Sequence, residues 1–202
     1  VTTGDGLADL TWVPPLDNGG AAVTSYMIEY RPAAVGQWTV LDDILVDDLM
    51  ATVDQLVNGV PYVFRVRAIT AAGEGDWVTS TPATPATVPM ASNVTSVDAG
   101  DGQATVSWAA PGDDGGSPVS GYTVSAVPGG ETCATAGTSC VVSGLTNGTV
   151  YTFTVVATNA VGDSAVSEPS APVTPDAEEV PSLELSAPTG VAVAAGDELV
   201  VV

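Results

Sequence analysis

The sequence predicts an all-β chain made of tandem β-sandwiches, and three observations predict it. Valine, threonine and alanine dominate, with glycine and proline punctuating every few residues. No run of ten or more residues repeats its apolar positions at the helical period of ~3.6. The chain also repeats itself once, and its 202 residues therefore read as two small domains rather than one large one.

The repeat is direct. Val1-Thr-Thr-Gly-Asp-Gly-Leu-Ala-Asp-Leu-Thr-Trp12 aligns without a gap on Val97-Asp-Ala-Gly-Asp-Gly-Gln-Ala-Thr-Val-Ser-Trp108. The same register places Asp17-Asn18-Gly19-Gly20 on Asp113-Asp114-Gly115-Gly116 and Tyr26 on Tyr122. It then slips by seven residues, so that Leu56-Val-Asn-Gly-Val-Pro-Tyr62-Val-Phe-Arg-Val-Arg-Ala68 meets Leu145-Thr-Asn-Gly-Thr-Val-Tyr151-Thr-Phe-Thr-Val-Val-Ala157. A unit of roughly 90 to 95 residues is too long for a solenoid repeat and suits a sandwich with its own core. A third copy begins near Ala187, and the first copy lacks most of its opening strand. The expected organisation is a first module over 1–86, a second over 87–175, an acidic linker over 176–186 and the start of a third, truncated module over 187–202.

Within each module the period is two. Tyr151, Phe153, Val155 and Ala157 alternate with Thr152, Thr154, Val156 and Thr158, the pattern of a strand with one buried face. Tyr62, Phe64, Val66 and Ala68 do the same and leave Arg65 and Arg67 on the opposite face. The turn signals Asn58-Gly59 and Asn147-Gly148 precede these strands. Asp17-Asn18-Gly19-Gly20 and its copy at Asp113 look like metal or phosphate loops, but glycine and Asx residues between strands read as tight reversals.

A tryptophan closing the second strand, a Pro-x-Asp-Asn/Asp-Gly-Gly loop, a tyrosine in the third strand and Leu-x-x-Gly-x-x-Tyr-x-Phe-x-Val-x-Ala together resemble the fibronectin type III module. The resemblance covers nearly the whole chain outside the linkers. It implies tandem seven-stranded immunoglobulin-like sandwiches, with strands A, B and E facing C, C′, F and G. It places Trp12 and Trp108 at the core centres and makes Tyr62 and Tyr151 the tyrosine corners, closing on the turns after Leu56 and Leu145. The second module is similar to modules of exported Gram-positive proteins in the residues around Cys133 and Cys140. The Arg-Gly-Asp adhesion signal of the family is missing from both F–G loops, which read Ala71-Ala-Gly-Glu-Gly-Asp76 and Asn159-Ala-Val-Gly-Asp163.

Cys133 and Cys140 are the only cysteines, and their separation across a strand-turn-strand fits a local disulfide between C′ and E. The alternative is a two-thiolate metal site, for which the chain offers neither a histidine nor a second cysteine pair. A disulfide implies an oxidising compartment.

Three Lys+Arg face 24 Asp+Glu, giving a net charge of -21. The cations are Arg31, Arg65 and Arg67, and there is no lysine or histidine. Nucleic acid and anionic membrane surfaces are poor partners for such a chain, because their binding draws on Lys and Arg. No apolar stretch approaches the ~20 residues of a membrane helix, so this segment does not insert. The absence of a signal peptide and of a start methionine reads as excision from a longer protein. Catalysis has little support without a histidine base or a lysine nucleophile, and no cofactor is expected.

Two weaker sites remain. Asp42, Asp43, Asp47 and Asp48, with Asp54 nearby, are oxygen donors of the kind calcium takes, but they lack EF-hand or nonapeptide spacing and read as solvated. Trp38, expected near the face that carries Arg65 and Arg67, is either an aromatic platform for a sugar or peptide or a ring stacked between arginines, with Glu29 as charge partner. Trp77 is a second ring of the same kind. Asn93-Val-Thr95 and Asn147-Gly-Thr149 match the N-glycosylation pattern, though Asn147 already has a turn role.

The proline-rich segment Thr81–Pro89 predicts a semi-rigid spacer, so the two modules should lie end to end. The expected function is a non-catalytic extracellular spacer or adhesion segment of a larger exported protein. Its partners would be an extracellular protein or carbohydrate and the neighbouring modules of the same chain. The alternative parent is a secreted polysaccharide-degrading enzyme with these modules as linkers.

Overall fold

The computed structural model of the chain describes residues 1–45 and 48–177, apart from the side chains of residues 42–45. The first half contains β1 (Thr2–Gly4), β2 (Leu7–Thr11), β3 (Val23–Pro32), β4 (Thr39–Leu45), β5 (Met50–Val53), β6 (Tyr62–Thr70), β7 (Gly73–Glu74) and β8 (Val78–Thr79). The second half contains β9 (Asn93–Gly100), β10 (Gln103–Ala109), β11 (Gly121–Val127), β12 (Thr132–Thr135), β13 (Ser139–Ser143) and β14 (Thr152–Thr158). Every element among the described residues is a strand. In the first half a sheet ordered β1-β2-β5 faces a sheet ordered β4-β3-β6-β7, with β8 also paired to β6. In the second half β13-β10-β9 faces β12-β11-β14.

Alternation fixes which side of each strand is inside. In β14 and the residue before it, Tyr151, Phe153, Val155 and Ala157 are all buried against Ala104, Val106, Trp108 and Val142 of the opposite sheet. Phe153 is fully buried, so its removal to alanine should cost about 3–5 kcal/mol. The first core repeats the scheme with Ala8, Leu10, Ile28, Val53, Tyr62 and Phe64. Both tyrosine corners form. The Tyr62 hydroxyl accepts from Val57 N at 3.2 Å and the Tyr151 hydroxyl from Thr146 N at 3.0 Å.

The asparagines of the two Asn-Gly turns tie distant loops together. Asn58 Oδ1 accepts from Gly6 N at 2.9 Å while its Nδ2 donates to Asp5 at 2.8 Å. Asn147 does the same for Gly102 and Asp101, at 2.8 and 2.6 Å. Gly6 and Gly102 sit at φ of 62° and 61°, the left-handed conformation that lets each A–B hairpin turn tightly.

Two features depart from the sequence expectation. Trp108 is 4% exposed at its core centre, but Trp12 is only half-buried at the margin of the first core. The reason is the opening strand. β9 runs the length of β10 and sets Val94 opposite Trp108, whereas β1 ends its pairing with β2 at Asp9, three residues before Trp12. A crevice of about 560 Å³ opens there, between Leu10 and Trp12 on one side and Phe64, Val78 and Pro82 on the other.

The second departure is the segment after β14, over residues 164–173, which forms no regular strand where the resemblance implied a seventh. Ser164, Ser167, Ser170 and Val173 donate their backbone N–H groups to the carbonyls of Ala157, Val155, Phe153 and Tyr151 at 2.8 to 3.0 Å. Three residues on this segment therefore advance it past two on β14. The serine hydroxyls fill the gaps: Ala157 N, Val155 N and Phe153 N donate to the Oγ of Ser164, Ser167 and Ser170 at 3.0, 2.9 and 3.0 Å. Each hydroxyl in turn donates to the carbonyl of the next residue. With Pro169, Pro172 and Pro175 interspersed, this segment has fewer N–H groups for a regular ladder, and side-chain oxygens take over.

Candidate functional site

Three arrangements stand out from the scaffold. The first covers the outward face of β3 and β6. Arg65 pairs with Glu29 across these strands in register, with Arg65 Nε donating to Glu29 Oε2 at 2.7 Å. Its guanidinium carbon lies 4.0 Å from the Trp38 ring centre and 4.2 Å from that of Trp77. Arg31 lies over Trp38 at 4.8 Å and Arg67 over Trp77 at 4.4 Å. The order of the stack is thus Arg31, Trp38, Arg65, Trp77, Arg67. Arg67 also pairs with Glu74 and reaches Met27 Sδ at 3.2 Å.

All the cations of the chain belong to this stack. Trp38 and Trp77 come from the loops flanking β4 and β8, which the alternation of β6 serves by holding Arg65 and Arg67 outward. Chemically the face is a closed assembly of cation–π and ion pairs, each contact contributing about 0.5–2 kcal/mol. Both arginines over Trp38 occupy the ring surface that a sugar would need.

The second arrangement is the disulfide between Cys133 and Cys140, with Cα atoms 6.3 Å apart. Cys133 lies on β12 and Cys140 on β13, so the bond joins the two sheets of the second sandwich at their edge. It packs on the core beneath.

The third is the joint between the sandwiches. Ala83 bridges back to Tyr62, closing the first sandwich. Beyond it, Pro85 O accepts from Gly59 N at 2.9 Å, Thr87 N donates to Gly115 O at 2.8 Å and Met90 N to Asp113 O at 2.9 Å. Asn159, 5% exposed, donates from Nδ2 to Thr87 O and Asp114 O, both at 2.8 Å. Its Oδ1 accepts from Val161 N and Gly162 N. Gly115 and Gly116 have φ of 74° and 78°, and a Cβ on Gly116 would come within 2.2 Å of Gly59 N. Only glycine allows the turn of the first sandwich to sit this close on the loop of the second.

Asn159 was missed by the sequence reading, yet it continues the inward register of Tyr151, Phe153, Val155 and Ala157. A polar residue in a buried slot was the available signal.

The loops Asp17–Gly20 and Asp113–Gly116 hold themselves by Asx bonds, in which the Gly19, Gly20, Gly115 and Gly116 N–H groups donate to the side-chain oxygens of Asp17, Asn18, Asp113 and Asp114 at 2.8 to 3.0 Å. Of the aspartates considered for calcium, the side chains of Asp42, Asp43 and Asp47 lie outside the described residues, and Asp48 is exposed. Among the described residues no three His, Cys, Asp or Glu side chains gather as a metal site, and no helix is long and apolar enough to cross a membrane.

The family profile for the fibronectin type III domain matches residues 2–84 and again residues 88–174. The titin homolog of Caenorhabditis elegans is 32% identical over 124 residues, 57% of this chain and 1% of that protein. The fast-type myosin-binding protein C of Homo sapiens is 28% identical over 184 residues, 86% of this chain and 16% of that protein. Among solved structures, the FN1–FN3 domains of chicken CNTN1 are 21% identical with a TM-score of 0.43, covering 88% of this chain and 64% of that one. The chain spans 16% or less of the length of these two protein relatives. Both halves being matched in full, the chain belongs to the fibronectin type III family as a tandem pair of its domains.

Proposed function

We propose that this chain is a non-catalytic spacer segment of a larger exported protein, in which two sandwiches act as one stiff rod. The observation that carries the reading is the joint. A linker held at Gly59, Asp113, Gly115 and Asn159 through four hydrogen bonds has little freedom to bend. Likeness to modules of a titin homolog and of myosin-binding protein C supports a structural role. The paired cysteines support export. The narrower attribution to a Gram-positive exported protein rests on the residues around Cys133 and Cys140 alone, since these relatives are animal proteins.

Adhesive contact with an extracellular protein or glycan would be weak and multivalent, because the Trp38 face is already filled by arginines. Aligned-sample NMR tests the rod. Residual dipolar couplings from the two sandwiches should fit one alignment tensor in the wild type and two in Gly116→Asn. Independent tensors in the wild type would remove the spacer reading.

A further inference from the structure

The Asn-x-Thr pattern of an N-glycan acceptor occurs twice, at Asn93-Val-Thr95 and at Asn147-Gly-Thr149. Sequence alone ranks the two equally. The fold separates them. Asn147 is committed to structure: its Oδ1 accepts from Gly102 N at 2.8 Å and its Nδ2 donates to Asp101 Oδ1 at 2.6 Å. Both bonds reach one dipeptide, so the Nδ2 hydrogen in use is the one on the Oδ1 side of the carboxamide. A sugar on Nδ2 makes a secondary amide, and the trans form that such amides prefer puts the sugar carbon on that same side. A glycan at Asn147 would therefore displace the bond to Asp101 and loosen the tie between two turns of the second sandwich.

Asn93 is placed in the opposite way. It opens β9, it is exposed, and no side chain or backbone group among the described residues hydrogen-bonds its carboxamide. Thr95 is exposed two residues on, while Val94 between them packs on the core opposite Trp108. Trp108 faces Val94 and Ser107 faces Ser96, so Thr95 is the extra residue of a bulge and has no opposite number on β10. β9 is also the outer strand of the sheet β13-β10-β9, with no strand beyond it among the described residues. Acceptor amide and threonine both lie where modification displaces no hydrogen bond and no core contact.

We propose that Asn93 is an N-glycan acceptor and that Asn147, in the same sequence pattern, is not. The donor class is an oligosaccharide carried on a polyprenyl diphosphate. Asn93 Nδ2 attacks the anomeric carbon, and a C–N bond forms as the C–O bond to phosphate breaks. The polyprenyl diphosphate leaves with the electron pair, and one Nδ2 proton passes to a base of the transferase. The inference rests on the export reading, because the pattern is modified in secreted chains. A glycan at the start of β9 would also stand beside an eight-residue outer strand, whose unpaired N–H and C=O groups are a template for pairing with another chain.

The test expresses the full chain behind a secretion signal in eukaryotic cells and analyses the secreted and the cell-retained pools separately. Treatment with peptide N-glycosidase leaves aspartate where a glycosylated asparagine stood, so peptide mass spectrometry reads the site directly. The expected result is an aspartate mark at 93 and none at 147. Asn93→Gln and Thr95→Ala should each abolish the glycan, Thr95→Ser should retain it, and Asn147→Gln should leave it in place. A bare Asn93 in either pool, or a glycan mapped to Asn147 in the secreted protein, overturns the proposal. A glycosylated Asn93 on protein that stays in the cell supports the site and counts against export, whereas secreted protein with a bare Asn93 does the reverse.

Discussion

The guanidinium of Arg65 lies 4.0 Å from the centre of the Trp38 ring and is bonded to Glu29 on the neighbouring strand. The two carboxylate and guanidinium side chains are 13% and 23% exposed, so both are largely out of water. Arg65→Met would leave the Glu29 carboxylate without its cation and should destabilise the first sandwich by about 2–3 kcal/mol, below the figure for a fully buried pair. Arg65→Lys should cost about 1 kcal/mol, because an ammonium can neither stack flat nor fork. Calorimetry resolves the two sandwiches; an unchanged first transition in Arg65→Met would show the stack to be ornamental.

Ser167 is 5% exposed, and its hydroxyl accepts the N–H of Val155 in the middle of β14. Ser167→Ala leaves that buried N–H without a partner and should cost about 1–3 kcal/mol. The Val155 amide should exchange with deuterium faster than those of Phe153 and Ala157, whose serine partners remain. Uniform exchange along β14 would contradict the hydroxyl ladder.

Reducing Cys133–Cys140 opens a loop with a sequence separation of 7. The chain-entropy account gives a loss of about 2.5 kcal/mol, confined to the second sandwich. Denaturant titration with and without reductant should lower the second transition and leave the first in place. Movement of both transitions would mean that the joint couples the two cores.

Tyr151→Phe removes the acceptor of Thr146 N while keeping the ring, and should cost about 1 kcal/mol. Tyr62→Phe should cost less, because its bond to Val57 N is longer, 3.2 against 3.0 Å. No loss from either would argue that the corner works by packing alone.

How far residues disclosed structure depended on which pattern they followed. The self-alignment and the alternation of Tyr62, Phe64, Tyr151 and Phe153 exposed the all-β sandwich class, because one buried face imposes a period of two on side chains. Glu29, Trp38 and Arg65 could be placed near one another because that same alternation sets the outward register. The seryl segment was not legible. Its Ser-x-x-Ser-x-x-Ser spacing matches neither strand nor helix periodicity, and its bonds run through hydroxyls rather than through a backbone ladder. Trp12 was misjudged since its motif position equals that of Trp108, while β1 pairs with β2 only as far as Asp9. Seating of Gly116 on Gly59 involves two glycines far apart in sequence, each with a sufficient local reason of its own to be glycine.

Holding all the cations of the chain in one stack has a consequence for its resistance to proteolysis. An enzyme that cuts after lysine or arginine finds just two peptide bonds, those following Arg65 and Arg67, because Arg31 is followed by Pro32 and a bond to proline resists such cleavage. Arg65 and Arg67 are both in β6, which is hydrogen-bonded to β3, so neither bond lies in a loop that could enter a protease cleft. Digestion of this kind must wait for the first sandwich to open. The second sandwich contains no such bond at all, folded or unfolded.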